Sequence, residues 1–415
     1  MLGVPVSMQE RLGVVADDLT GAGDIASAVA GTGARVEVLV GVPSAPIPDV
    51  DVVVVALKIR SVPIEEAVAQ ALASAKALRG AGYEQGYFKY SSTFDSGLRG
   101  NIGPVADALA DLYGQQVVVV TPAFPRLGRA VVGGRLVVDG RELVEANLGE
   151  HPLTPRKRSS IVDALAKQTR SGVGIVELSV VREGPAAVVA SLLELAGNQI
   201  KFAVVDGETE GDLSTLAKAV SGEKLLTGAT GLAQAIGGLR FGGSSAQEGF
   251  RPPGSGPPVI MCGSCSSATV RQVREYIQRA PSYRVRVQDL DERGVAKAAK
   301  WVASGNFSEA PLIYSTPTEG DGDLAPAFTE QFEVFFGTLA RQLRSQGRQR
   351  FVVAGGETSG AVVEALGCRE FAVGPEISPG VPWLVDERGA LLALKSGNFG
   401  DDDFFLRAAD PGHPR

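Results

Sequence analysis

The sequence predicts an α/β protein of two domains, each built on a mainly parallel sheet, and three observations predict it. Short Val- and Ile-rich runs alternate with stretches of helical periodicity, the pattern of strands covered on both faces. The length, 415 residues, exceeds what one hydrophobic core ordinarily organises. Residues 237–258 are dominated by Gly, Pro and Ser, a composition that buries too little apolar surface to order itself and reads as a linker. The expected layout is an N-terminal domain over 1–238, a linker over 239–257 and a C-terminal domain over 258–415.

The first strand is predicted over 12–16, and it ends in two adjacent carboxylates, Asp17 and Asp18. Thr20, Gly21 and Gly23 follow, and a helix is expected over 25–31. In open α/β sheets ligands collect beyond the carboxyl ends of the strands, so two acids at that point suggest a site. The competing structural role is capping of the next helix by Asp18 or Thr20. Strands over 36–40 and 52–57 follow, then a helix over 65–79; Lys58, Arg60 and Ser61 end the second of these strands.

Residues 86–103 combine Lys89, Asp95, Arg99 and Asn101 with glycines and hydroxyl side chains, and read as a binding loop before a helix over 104–113. A strand over 117–121 precedes a hairpin over 129–144, marked by Gly133-Gly134 and Asp139-Gly140. Helices and strands resume over 160–168, 173–178, 185–195 and 202–205, the last ending in another acid, Asp206.

In the second half, a strand over 259–263 leads through Ser264, Cys265 and Ser266 into a helix over 268–279. A strand over 351–354 leads through residues 355–360 into a helix over 361–366, and Lys395-Ser-Gly-Asn-Phe-Gly400 is a third Gly-rich turn. Small residues at a strand-to-helix turn leave backbone N–H groups free at the positive end of the helix dipole, and such turns bind phosphate. The P-loop spacing G-x-x-x-x-G-K-[ST] does not occur. Residues 21–26 match the dinucleotide pattern G-x-G-x-x-A, which keeps a Rossmann-type NAD(P)-dependent oxidoreductase as an alternative. Against it, Asp17 and Asp18 would repel a pyrophosphate at that turn.

Composition narrows the classes further. With 44% hydrophobic and 21% charged residues the chain is that of a globular protein. A net charge of −7 argues against a nucleic-acid partner. Three cysteines make no disulfide framework, although Cys262 and Cys265 have C-x-x-C spacing, and two histidines leave a structural zinc site without ligands. No run approaches the roughly 18 apolar residues of a membrane span and no signal-peptide core stands at the start, so a cytoplasmic protein with no membrane partner is expected.

Taken together, residues 16–22, 87–96, 263–266, 354–360 and 394–400 resemble the four-carbon acid sugar kinase family, with motifs in order across nearly the whole chain. Residues 100–104, 151–155 and 379–383 resemble the 3-oxo-tetronate kinase branch most closely. The resemblance implies a sugar-acid-binding N-terminal domain, an ATP-binding C-terminal domain and an active site in the cleft between domains. It implies transfer of the ATP γ-phosphate, with Mg²⁺, to the terminal hydroxyl of a 3-oxo-tetronate. The ATP site would then include Ser264 or Ser266, with Gly355, Gly356, Glu357, Thr358 and Gly397. On the acceptor side, Asp18 would be the base or hydroxyl-orienting group and Asp17 its support. Arg60, Lys89 and Arg99 would bind the substrate carboxylate, and Asp95 would orient hydroxyls or help hold Mg²⁺. The metal ligands and oligomeric state stay open. Three features depart from the branch pattern: Ser91, the run Gly97-Leu98-Arg99 and the turn Thr227–Gly231. The second of these is closer to threonate kinases, which makes a threonate or erythronate kinase the nearest alternative.

Overall fold

In the computed structural model, the described residues are 11–94, 100–143, 160–242, 250–305, 307, 309–316 and 328–410. The chain divides into two compact units, Met1–Ala246 and Gln247–Arg415.

The first unit carries strands β1 (Leu12–Ala16), β2 (Val36–Val40), β3 (Val52–Ala56), β4 (Gln85–Lys89) and β5 (Val118–Thr121). The short strands β6 (Arg129–Val132), β7 (Arg135–Val138) and β8 (Arg141–Glu142) form a separate antiparallel sheet. Strands β9 (Gly172–Val176), β10 (Ile200–Val205) and β11 (Leu225–Gly228) complete a parallel sheet of order β2-β3-β1-β4-β11-β5-β10-β9. Its helices are α1 (Leu19–Ala30), α2 (Ile64–Gly80), α3 (Ile102–Tyr113), α4 (Ile161–Ala166), α5 (Leu178–Glu183), α6 (Pro185–Gly197), α7 (Glu210–Val220) and α8 (Thr230–Phe241).

Every residue of β1, β3 and β4 is buried, as expected of strands covered on both faces. Helix α1 packs on α8, whereas α2 packs on α3. β1 therefore sends its chain to one face while its neighbours β3 and β4 lead into the other pair, the arrangement of a topological switch point. The strand ends are level: Ala16 pairs with both Ala56 and Lys89, and Lys89 with Gly228. Residues just past those ends are thus brought to one edge.

The second unit carries β12 (Val259–Cys262), β13 (Ser282–Arg284), β14 (Leu312–Tyr314), β15 (Arg350–Ala354), β16 (Glu370–Ser378), β17 (Val381–Asp386) and β18 (Leu391–Lys395). Their order is β13-β14-β12-β15-β18-β17-β16; β17 runs antiparallel to both of its neighbours and the remaining pairs are parallel. Helices α9 (Ser267–Ile277), α10 (Glu292–Ser304), α11 (Thr329–Ser345), α12 (Gly356–Leu366) and α13 (Phe404–Ala408) accompany it. Here too the ends are level, Cys262 pairing with Ala354 and Ala354 with Lys395.

Two predicted helix starts are corrected. Helix α1 begins at Leu19 and α12 at Gly356, well before the predicted 25 and 361, because Gly- and Thr-rich first turns read as loops while a cap and the sheet behind them hold them helical. The Gly/Pro-rich stretch is also anchored at its C-terminal end, since Arg350 donates to the carbonyls of Pro252, Pro253, Gly254 and Gly256. One guanidinium satisfies backbone acceptors that no apolar surface there could shelter.

Candidate active site

Asp17 follows the last residue of β1, and its carboxylate is buried. Arg60, just beyond β3, holds it with a fork: Nε donates to Oδ2 at 3.0 Å and Nη2 to Oδ1 at 2.9 Å. The same Nη2 lies 3.0 Å from Asp18 Oδ1, so one guanidinium serves two carboxylates. Asn101 fixes the loop that carries Arg60, its Nδ2 donating to the carbonyls of Ile59 at 2.7 Å and Val62 at 2.8 Å.

Asp18 is the N-cap of α1, its Oδ1 accepting from the Gly21 N–H at 2.9 Å and its Oδ2 from the Thr20 hydroxyl at 2.6 Å. The side chain of Asp18 keeps 20% exposure against 4% for Asp17, so it is the more accessible of the pair. Burial pushes Asp17 above the usual carboxylate range, against the pull of Arg60. For Asp18 burial acts in the same sense, but Arg60, Lys89 and the two hydrogen bonds outweigh it and hold the group below that range. Asp18 is therefore an ionised acceptor at neutral pH.

Lys89 ends β4 and is buried, with Nζ 3.9 Å from Asp24 Oδ2. Asp24 also accepts from the Thr230 hydroxyl at 2.5 Å. A Cβ on Gly21 would collide with Lys89 Nζ, so glycine there makes room for the ammonium beside Asp18. Gly21 and Ala26 thus lie inside a buried helix rather than in a turn, which removes the structural setting of the dinucleotide pattern.

In the second unit three turns meet at the level ends of β12, β15 and β18. Ser266 caps α9 by accepting from the Thr269 N–H, and its hydroxyl donates to the Gly397 carbonyl at 2.5 Å. Gly397 packs so close that a Cβ would stand 2.7 Å from Ser264 Oγ. Gly355 has φ of 119°, a conformation that L side chains rarely adopt, and a Cβ on it would lie 3.2 Å from the Ser264 N. Gly356, Glu357 and Thr358 form the first turn of α12. The seven residues expected at the ATP site thus belong to one cluster of turns beside two helix N-termini.

Asp95 and Arg99 lie outside the described residues. Asp206 accepts from the N–H groups of Gly133, Gly134 and Leu178, so this strand-end acid secures the hairpin turn and the start of α5. Cys262 is buried, Cys265 is exposed, and both are free thiols. Among the described residues no cluster of three or more His, Cys, Asp or Glu side chains could hold a metal ion. Sequence reasoning missed Asn101 as a partner of the Arg60 loop and Lys395 as a buried cation.

Known proteins match both halves. A model of a sugar-binding N-terminal domain covers residues 12–236, and one of a nucleotide-binding C-terminal domain covers 259–405. Curated proteins named 3-oxo-tetronate kinase from Brucella melitensis and Pectobacterium atrosepticum are 42% and 40% identical, each over 96% of this chain and over 95% and 98% of theirs. A crystal structure from Salmonella typhimurium LT2, provisionally described as a tRNA synthase, superposes with a TM-score of 0.85 at 39% identity, covering 96% of this chain and 98% of that one. Protein HI1011 of Haemophilus influenzae superposes with a TM-score of 0.76 at 38% identity, over 95% and 98%. The chain belongs to the four-carbon acid sugar kinase family, among the relatives that carry the name 3-oxo-tetronate kinase.

Proposed function

We propose that the protein is an ATP-dependent kinase that phosphorylates the terminal C4 hydroxyl of a 3-oxo-tetronate. The observation that carries this reading is the near full-length match to relatives of that name, at about 40% identity over 96% of the chain. The two sites described above supply chemistry of the required kinds.

Phosphoryl transfer is mainly positioning and charge stabilisation, so its base need only orient the hydroxyl. Asp18 suits that role: it is ionised, partly exposed and held by three donors. Asp17 and Arg60 fix its place, and Lys89 puts a buried positive charge beside it. Arg60 has Nε and Nη2 committed to the acid pair, which makes Lys89 the stronger candidate of the two for the acceptor's carboxylate.

The turns at Ser264–Ser266, Gly355–Thr358 and Gly397 receive the ATP phosphates. Glu357 is a carboxylate in the first turn of α12, beside that anion cradle, and would be the residue there to help hold a cation with the phosphates. The donor set fits magnesium, which in kinases takes one or two carboxylates with substrate phosphates rather than a full protein cage. When bound, Mg²⁺ neutralises charge on the phosphates. Use of ATP goes with the cytoplasm, and no helix among the described residues is long and apolar enough to cross a membrane.

ADP release coupled to a chromogenic reaction, run over 3-oxo-tetronates, threonate and erythronate, tests the proposal. Turnover on 3-oxo-tetronates is expected; turnover confined to threonate or erythronate favours the second reading, for which Leu98-Arg99-Gly100 speaks. NAD(P) binding without ADP release would overturn both.

A further inference from the structure

Lys395 is completely buried, and among the described residues no carboxylate is a hydrogen-bond partner of it. Its Nζ donates to the carbonyls of Ser396 at 3.1 Å, Gly397 at 3.0 Å and Phe399 at 3.1 Å, and to the Thr269 hydroxyl at 2.9 Å. Gln272 of α9, also fully buried, acts on the same loop and shares the Phe399 carbonyl with Lys395. Its Nε2 donates to the carbonyls of Phe399 at 3.0 Å, Gly400 at 2.8 Å and Asp401 at 3.1 Å. Its Oε1 is buried with no hydrogen-bond partner among the described residues, so the side chain is placed for its donor end.

The consequence is geometric. In a trans peptide the C=O of one residue and the N–H of the next point in opposite directions. Drawing the carbonyls of 396, 397, 399 and 400 inward therefore turns the N–H groups of Gly397, Asn398, Gly400 and Asp401 the other way. The Gly397 carbonyl accepts from Ser266, Thr269 and Lys395 together, which polarises the following peptide and strengthens the Asn398 N–H as a donor.

We propose that Lys395 and Gln272 are positioning residues for the nucleotide: they gather the loop carbonyls behind the chain so that its N–H groups are presented to phosphate. This rests on the reading that the turns of the second unit bind ATP. The cation contributes twice, because it organises the loop and also places a positive charge behind the anion. The groups facing it are Thr269 from α9, Cys262 from β12 and the Phe404 ring from α13, 5.7 Å away. Of these only Cys262 titrates, and burial pushes its thiol up to about 11, so it stays neutral at physiological pH. Burial lowers the Lys395 ammonium to about 7, a value that bound phosphate would raise.

The test uses full-length protein, with ATP binding measured by calorimetry and steady-state kinetics measured beside it. Lys395→Met is expected to raise Kd and KM for ATP at least tenfold while KM for the acceptor stays within twofold. Gln272→Met, which keeps the volume, is expected to raise them about threefold, and it carries the test if Lys395→Met does not fold. In the wild type, KM for ATP should climb as pH rises from 7 to 9, and the Gln272→Met profile should keep that slope. A variant that loses only active fraction, with kcat lowered and both KM values unchanged, would show a merely structural role and overturn the proposal. If the wild type binds ATP but phosphorylates no acceptor, the kinase reading fails while the calorimetric comparison still decides this one.

Discussion

Arg60 grips Asp17 through two parallel N–H···O bonds of 3.0 and 2.9 Å, and the same side chain reaches Asp18. The fork makes a rigid base from which the second acid projects. It also gives adjacent, chemically identical residues different surroundings, one sealed and one partly exposed.

Asp18→Asn tests the charge apart from the cap. Asn is as good an N-cap as Asp, so α1 should form normally. Loss of the carboxylate should lower kcat by about 10² or more, the range for a positioned base. A thermal melt near the wild-type value beside that loss is the expected result. Because Asp18 is held below the usual carboxylate range, wild-type kcat should stay flat down to about pH 5.

Arg60→Met leaves Asp17 buried without its partner. Breaking a buried pair from one side typically costs about 3 kcal/mol or more, and urea denaturation should show a loss of that order. Adding Asp17→Asn should recover part of it, since the uncompensated charge is then gone.

Gly355→Ala places a Cβ on a residue with φ of 119°, close to Thr358 Oγ1 and the Ser264 N. Backbone strain of about 1–3 kcal/mol is expected. KM for ATP should rise, with KM for the acceptor unchanged, as read from initial rates.

Lys395 makes stability depend on pH in an unusual direction. Its ordinary value is 10.5 and burial lowers it to about 7, so between those values the unfolded chain binds a proton that the folded chain does not. Stability should therefore rise with pH from 7 to 9. Above 9 Cys262 opposes the trend, because its thiol keeps its proton to about 11 in the fold. Denaturation of nucleotide-free protein at pH 7, 8 and 9 measures the slope, which Lys395→Met should abolish.

Much of this was legible in the chain. Buried strands declared themselves through uninterrupted apolar runs such as Val52–Ala56, and the acids after β1 marked a strand end at a switch point. Helix starts were less legible. Thr20-Gly21 and Gly356-Glu357-Thr358 carry turn-like residues, and only the cap at Asp18 and the sheet behind α12 hold them in helices. Local pattern also could not show that Asp206 serves a hairpin or that Asn101 serves the Arg60 loop, because each acts on chain distant in sequence, 73 and 42 residues away at the bonds in question. Lys395 was hidden for another reason. Lysines are almost never fully buried, and nothing in the run Lys395–Gly400 signals that its carbonyls turn inward.

Asp18 closes a helix and, on the reading proposed here, aligns a hydroxyl for attack. Aspartate and asparagine codons differ by a single base. One transition at this position would therefore yield a chain that folds, accumulates and still takes up nucleotide, yet transfers phosphate about a hundredfold more slowly or worse. Gene copies released from selection could cross that line without any loss of protein, and abundance alone would not reveal which copies had done so.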